Sequence, residues 1–312
     1  METLRRVWRN RYFWAVMDVA LALILSLAIL FSLRLILGVE HPLLVVSSGS
    51  MIPTLNIGDM IVVQTADPSQ VNIGDVVVFR NPINPNEPPI VHRVISIDRN
   101  ENGRVTRIST AGDRTRIVDR FSPWNASLLI GRVILRVPYF GNLYLFLHQW
   151  GDFNGGLIII IIAAIVILIA LTLFTDNKDR GEKSEGERKV GVRLAYIAAV
   201  NMLIISFMVF SLWGFVIISR ETIILGMYRD LQLNKEKFGN ANLSWGFMTY
   251  RIDCRIGDSV LMGVPTFSWF QLSLLILITF NGREVFDLLI RPQLKRSSLR
   301  PKNPFRMILR NL

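Results

Sequence analysis

The sequence predicts a mainly β extracytoplasmic domain of antiparallel sheets, tied to a membrane by about four transmembrane α-helices. Three observations predict it. Apolar residues, 51% of the 312, concentrate in four blocks. Between the first two blocks lies a stretch of β-branched runs cut by Gly, Pro and Asn. The net charge of +11 sits almost wholly in short segments beside the blocks.

The first block, 13–37, is broken by Asp18 and Arg34 and comes after Arg5, Arg6, Arg9 and Arg11. A cleaved signal peptide has a similar basic start, but its apolar region is shorter and ends in a small-x-small site. This block has neither feature, so it reads as a retained signal-anchor. The second, 157–174, is an uncharged run of eighteen residues, and the third is 194–219. Each approaches the roughly 20 residues a helix needs to cross about 30 Å of hydrocarbon. The fourth, 264–280, is at the lower limit, and a buried soluble helix is its alternative.

Charge sets the orientation. Residues 38–156 carry ten Arg against ten acidic residues, whereas the tail from Arg283 to Arg310 carries eight Lys or Arg against Glu284 and Asp287. Positive charge beside spans marks the cytoplasmic face. The expected order is a cytoplasmic 1–12, the anchor, an outer domain 38–156, a span, a charged cytoplasmic linker 175–193, a span, an outer loop 220–263, a span, and a basic cytoplasmic tail 281–312. The excess charge is thus a topology signal, and nucleic acid is not expected as a partner. The lipid bilayer is. The linker, DNKDRGEKSEGERKVGVR, reads as flexible and solvated. The outer loop shows only weak strand-like pieces, such as Met248 to Ile252.

The outer domain is read from its runs. Met60-Ile61-Val62-Val63 and Val76-Val77-Val78-Phe79 are wholly apolar, as in strands buried on both faces or touching lipid. Val91 to Ile97 and Ile130 to Val137 alternate. Gly58-Asp59, Gly74-Asp75, the Pro- and Asn-rich Asn81 to Pro89 and Asn102-Gly103 supply turns. Such short spacing favours antiparallel pairing and leaves no room for crossover helices.

One cysteine, Cys254, excludes an intrachain disulfide. The histidines His41, His92 and His148 are not spaced as metal ligands, so no metal and no cofactor is expected. Nucleophilic chemistry is better supported. Just beyond the first span lies Ser47-Ser48-Gly49-Ser50-Met51-Ile52-Pro53, with Ser50 as candidate nucleophile. A serine hydroxyl needs a base aimed at it, an orienter for that base, and donors for the oxyanion. Downstream come His92, then Asp113 after Gly112, then Asp119 six residues later. Taken singly these are ordinary: a serine in a turn, a packed strand histidine, a turn aspartate. Asn125-Ala126-Ser127 and Asn242-Leu243-Ser244 are outward-facing sequons.

The set is specific. From Val45 to Tyr144 the chain resembles the type I signal peptidases, in the endoplasmic-reticulum and archaeal branch. The matching blocks are SGSMIPTLNIGDMIVV, NIGDVVVF, IVHRVISI, TAGDRTRIVD and GRVILRVPYFG, in the family's order and spacing. They cover about a third of the chain, and residues from about 157 onward lie outside them. The resemblance implies a signal-peptidase-like β domain with Ser50 as nucleophile and His92 as general base, where bacterial and mitochondrial enzymes use lysine. No lysine precedes Lys178, so a serine–lysine dyad in the outer domain is excluded by inventory. The resemblance further implies Asp119 as the orienter of His92, Asp113 as a structural or supporting acid, and Ser48 with the Ser50 amide as oxyanion donors. Ala111 stands where the family usually has lysine before Gly-Asp, a departure that falls on the block carrying the two aspartates.

The implied activity is a membrane-bound serine endopeptidase that removes N-terminal signal peptides from exported preproteins, cutting after small residues. Its partners would be those signal peptides and a protein-export channel or companion subunits. Two rivals stay open: a catalytically silent interaction module on the same fold, or a peptidase whose 157–312 half docks the export channel.

Overall fold

The computed structural model describes residues 11–142, 144–145, 185–219, 222–256 and 259–286. These fall in two compact units. One draws on Met1–Ile160, Val216–Ile224 and Asp230–Phe267, the other on Ile161–Phe215, Leu225–Arg229 and Ser268–Leu312.

The first unit starts with helix α1, Arg11–Leu37. Its sheet strands are β1 (Leu43–Val45), β2 (Met60–Gln64), β3 (Val76–Phe79), β4 (Ile90–Arg99), β5 (Val105–Ala111), β6 (Trp124–Asn125) and β7 (Leu129–Val137). The four β-branched runs picked from sequence lie within β2, β3, β4 and β7. The strand β5 is not among them, because Thr106 and Arg107 interrupt its apolar character.

The chain returns to this sheet much later. Strands β8 (Gly214–Ser219) and β9 (Thr222–Leu225) form a separate pair. Helix α3 is Met227–Phe238, and β10 (Asn240–Gly246), β11 (Thr249–Ile256), β12 (Ser259–Leu261) and β13 (Thr266–Phe267) come after it. The eleven-stranded sheet runs β10-β11-β13-β7-β3-β4-β5-β6, with β1 and β2 branching from β7. Residues 220–263 were expected as a loop with weak strand-like pieces; those described instead hold three strands of the main sheet and a helix. Pairing is antiparallel except where Thr266 of β13 meets Arg136 of β7 in parallel, closed by a 2.8 Å bond from the Arg136 N–H to the Pro265 carbonyl. β7 is the hub. Arg132 pairs with Gln64 on one edge and with Val77 on the other, so β2 and β3 flank it.

Two apolar clusters fill the faces of this sheet. Val46, Met51, Leu55, Ile61, Val63, Val76, Val78, Val133 and Val264 make one. Val71, Val77, Phe79, Val94, Val105, Ile108, Trp124 and Ala126 make the other. Successive strand residues face opposite sides. β3 therefore sends Val76 and Val78 into one core and Val77 and Phe79 into the other, and all four are buried. That is why its run lacks polar alternation. Phe79 stacks on Trp124 with centroids 4.2 Å apart.

In the second unit, helix α2 (Glu185–Trp213) and helix α4 (Trp269–Val285) run antiparallel. Arg193 pairs with Glu284 at 2.7 Å at one end, Asn201 and Asn281 exchange 2.8 Å amide bonds further along, and Phe207 meets Trp269 at the other end. Interhelical amide pairs of this kind hold apolar helices together where hydrophobic burial cannot.

Among the described residues, one helical stretch is long and apolar enough to cross a membrane, Tyr196–Trp213, with a shorter apolar one at Ile24–Leu37. The described residues thus confirm one span by length and composition, and do not confirm the expected count of about four. The 194–219 block is helical only to Trp213, beyond which Gly214, at φ 76°, opens β8. Helix α4 carries Arg283 and Glu284 near its end, which shorten its uncharged part. The end of the predicted linker is helical from Glu185, consistent with the helix propensity of its Glu, Arg and Lys residues. The block 157–174 and His148 lie outside the described residues.

Candidate active site

Ser50 stands on a turn between β1 and β2 whose geometry is set by burial of the residues after it. Met51 and Leu55 are sealed in the first core, at 1% and 0% exposure, which pins both ends of the turn and leaves Ser50 partly open. A bond from the Leu55 N–H to the Met51 carbonyl, 3.0 Å, closes it. The Ser48 and Ser50 hydroxyls are 3.3 Å apart.

His92 and Arg93 are consecutive on β4, so they leave opposite faces of the strand. This alternation sorts the two aspartates. On one face His92 donates from Nδ1 to Asp119 Oδ2 at 2.7 Å, with Nδ1 the donor because an ionised carboxylate only accepts. On the other, Arg93 holds Asp113 in a two-pronged pair, Nε to Oδ1 at 2.8 Å and Nη2 to Oδ2 at 2.7 Å. Both partners of that pair are buried. Arg93, the neighbour of His92 in the chain, is thus the ion-pair partner of Asp113.

The six-residue spacing from Asp113 to Asp119 has a simple origin. The chain leaves β5 after Ala111 and returns where Val118 bridges Ala111. The loop so closed sets Asp119 beside Thr110, joined by a 2.9 Å bond from the Asp119 N–H to the Thr110 carbonyl. The Thr110 hydroxyl donates to Asp119 Oδ2 at 2.7 Å and accepts from Trp124 Nε1 at 3.0 Å. Thr110 is fully buried, so Asp119 is oriented by a relay rooted in the second core.

Asp113 acts as a strut. Besides Arg93 it accepts from the Thr54 hydroxyl at 2.5 Å, tying the loop to the far end of the nucleophile turn. The next residue donates its N–H to the Ser50 carbonyl, from Arg114 at 2.9 Å. Gly112 lies at the centre: a Cβ there would sit 2.8 Å from the Ser50 carbonyl oxygen and 3.3 Å from His92 Nε2. The free imidazole nitrogen and the Ser50 backbone thus converge on the same small space.

Beneath the turn is a buried charge network. Arg136 reaches Asp59 at 2.5 Å and Asp230 at 2.8 Å, and donates to the Thr54 carbonyl at 3.3 Å. Asn56 bonds Asp59 through its N–H at 2.7 Å and Asp230 through its side-chain amide at 3.0 Å. Two carboxylates share one guanidinium in a fully buried setting. Burial pushes the Asp230 carboxyl up to about 6, against the pull of Arg136 and with the push of Asp59. Asp59 is raised for the same first reason, and Arg136 is held in its charged form.

Sequence reasoning missed Thr54, Arg93, Thr110, Trp124 and Asp230. Arg93 and Thr110 lay inside the quoted blocks, next to His92 and before Gly112; Asp230 carried no signal. Among the described residues no group of three or more His, Cys, Asp or Glu side chains could hold a metal. His41 is exposed, 3.8 Å from Glu40 and away from this cluster.

Comparison with known proteins points one way. Residues 16–99 match the family described as signal peptidase, peptidase S26. The chain is similar to the signal peptidase complex catalytic subunit SEC11C of Rattus norvegicus, 27% identical over 170 residues, or 53% of this chain and 87% of that protein. It is 32% identical over 142 residues to the signal peptidase complex catalytic subunit sec11 of Dictyostelium discoideum, covering 44% of this chain and 77% of that one. The SEC11 subunit of Plasmodium falciparum is 29% identical over 172 residues, 53% of this chain and 91% of its own length.

Proposed function

Because the chain belongs to the signal peptidase S26 family, in its endoplasmic-reticulum and archaeal branch, we propose that it is a membrane-anchored serine endopeptidase that cleaves signal peptides from exported preproteins with Ser50, His92 and Asp119 as its catalytic set. The observation that carries the residue assignment is the 2.7 Å bond between His92 Nδ1 and Asp119 Oδ2, with Nε2 directed at the Gly112–Ser50 space.

The chemistry is that of a general-base serine hydrolase. Ser50 Oγ attacks the scissile carbonyl carbon while His92 Nε2 takes its proton. The tetrahedral oxyanion is held by the Ser50 N–H and the Ser48 hydroxyl. His92 then hands the proton to the leaving amine, and the C–N bond breaks to leave an ester on Ser50. Water, deprotonated by His92, hydrolyses that ester and frees the enzyme. Asp119 keeps the proton on Nδ1 and stabilises the imidazolium. Asp113 stays bound to Arg93 and holds the loop.

The substrate lies extended beside β1, the strand that leads into Ser50 and that pairs with β2 alone among the described strands. Shallow pockets admit small side chains at the first and third positions before the cut. Anchoring by α1 and by the apolar stretch of α2 keeps the site at the outer bilayer surface, where the cleavage region emerges while the signal's apolar core stays in lipid. Confinement to that surface raises the effective substrate concentration. Companion subunits and the export channel are the expected partners, with segments outside the catalytic region available to dock them.

The test is cleavage of a preprotein by membranes bearing the full chain, with the new N-terminus sequenced. Cleavage should occur after small residues and stop when both small positions are made large. Cleavage at unrelated bonds, or indifference to those changes, would refute the assignment.

A further inference from the structure

Helix α3 and the strands after it lie outside the family match at residues 16–99. Yet five of their contacts end on the machinery around Ser50. Asp230 enters from beneath, pairing with Arg136 and accepting from Asn56. At the other end of the same helix, the Lys237 ammonium donates to the Arg114 carbonyl, and the Phe238 ring lies under the Arg116 guanidinium at 5.3 Å. Further on, the Met262 carbonyl accepts from Arg93 Nη1 at 2.9 Å. The last three targets lie beside the proposed catalytic set. Arg114 donates its N–H to the Ser50 carbonyl, Arg116 donates its N–H to the Gly112 carbonyl at 2.9 Å, and Arg93 is next to His92 in the chain.

The Gly112–Arg116 loop needs such support. Arg116 has a φ of 58°, in the left-handed region where a side chain other than glycine is strained. Strained conformers persist only where their surroundings over-determine them. Here the Gly112 carbonyl holds the Arg116 N–H, and Phe238 holds its guanidinium.

We infer that residues Asp230–Phe238 are a built-in positioning element for the peptidase, which clamps the Gly112–Arg116 loop against the Ser50 turn and thereby sets the approach of Ser50 to His92. The inference rests on the serine peptidase reading above. It assigns Lys237 and Phe238 as positioning residues, touching neither substrate nor reacting atoms.

The clamp is open to a surface test, because Lys237 is exposed. Full-length Lys237→Ala and Phe238→Leu, singly and combined, are compared with wild type for preprotein cleavage per active serine, titrated with a fluorophosphonate. Displacement of the loop should lower kcat per titrated site about tenfold in the double variant, with KM changed less than about twofold, because misplacement of reacting groups acts on the chemical step. Lys237→Arg and Phe238→Tyr should restore most of the rate, and Lys235→Ala, exposed on the same helix, should be neutral. An unchanged rate per site, or a loss only in the number of titratable sites, would overturn the clamp while leaving the peptidase reading intact. Undiminished cleavage by Ser50→Ala would instead overturn the reading beneath it.

Discussion

Replacing Asp119 by Asn should cut turnover by about a thousandfold while leaving the fold in place, whereas removing Asp113 should act mainly on stability. The difference can be worked from the two environments. Asp119 Oδ2 lies 2.7 Å from His92 Nδ1. A charge pair at that distance is worth about 6 kcal/mol at an effective dielectric constant of 20. Solvent and relaxation recover part of it, and about 4 kcal/mol corresponds to a thousandfold in rate. Tautomer choice adds to the loss. An amide that turns its NH₂ toward Nδ1 forces the proton onto Nε2, and the ring can then no longer take a proton from Ser50. The same NH₂ faces the Thr110 hydroxyl, whose oxygen can accept from it, so the local fold keeps a bond there and has no reason to open. Asp113 instead neutralises Arg93, and both side chains are about 5% exposed or less. Asp113→Ala strands that guanidinium and should cost about 3–5 kcal/mol of stability. The assay is single-turnover preprotein cleavage per titrated serine, run beside thermal unfolding. A normal rate in Asp119→Asn, with a large per-site loss in Asp113→Asn at unchanged melting temperature, would reverse the two roles.

The same geometry sets further outcomes. Gly112→Ala places a methyl 2.8 Å from the Ser50 carbonyl oxygen and 3.3 Å from His92 Nε2, so per-site turnover should fall by about a hundredfold, read in the same assay. His41→Ala, altering an exposed residue, should cleave normally where His92→Ala does not. Phe79→Ala, opening a fully buried site stacked on Trp124, should lower stability by about 3–5 kcal/mol in denaturant titration. Asp230 is raised in the fold from 3.8 to about 6. Its contribution is therefore complete below about pH 4 and is lost as pH rises through about 6. Wild type should accordingly lose stability relative to Asp230→Asn between pH 4 and 7, by about 3 kcal/mol at most, in melting curves across that range.

What could be read from the sequence was what local chemistry encodes. β2, β3, β4 and β7 announce themselves through β-branched runs bounded by Gly-Asp and Asn-Gly turns, and β3 declares its two buried faces by lacking alternation. Ser50, His92 and the two aspartates were legible as a set because their blocks occur in order. Pairings across sequence distance were not. Arg93 reads as a strand residue until Asp113 is placed opposite it, and nothing around Asp230 says that it meets Arg136. Of the strands β10 to β12 only a weak piece was legible, Met248 to Ile252 overlapping β11, because the chain between 220 and 263 mixes polar and aromatic residues without a clean period. Their affiliation to the main sheet rests on one parallel pair at Arg136 and Thr266. The bounds of the 194–219 block were not legible because hydropathy does not see where a helix gives way to a strand, as it does after Trp213.

The most direct measurement is processing of a preprotein by membranes containing the full chain with Ser50, with Ser50→Ala, or with His92→Ala at equal protein level. Both variants should retain the wild-type melting profile and lose cleavage by several orders of magnitude, and in the wild type the serine probe should label a single peptide that spans Ser50. Near-normal processing by folded Ser50→Ala, or probe attached to another residue, would contradict the assignment of Ser50 as nucleophile.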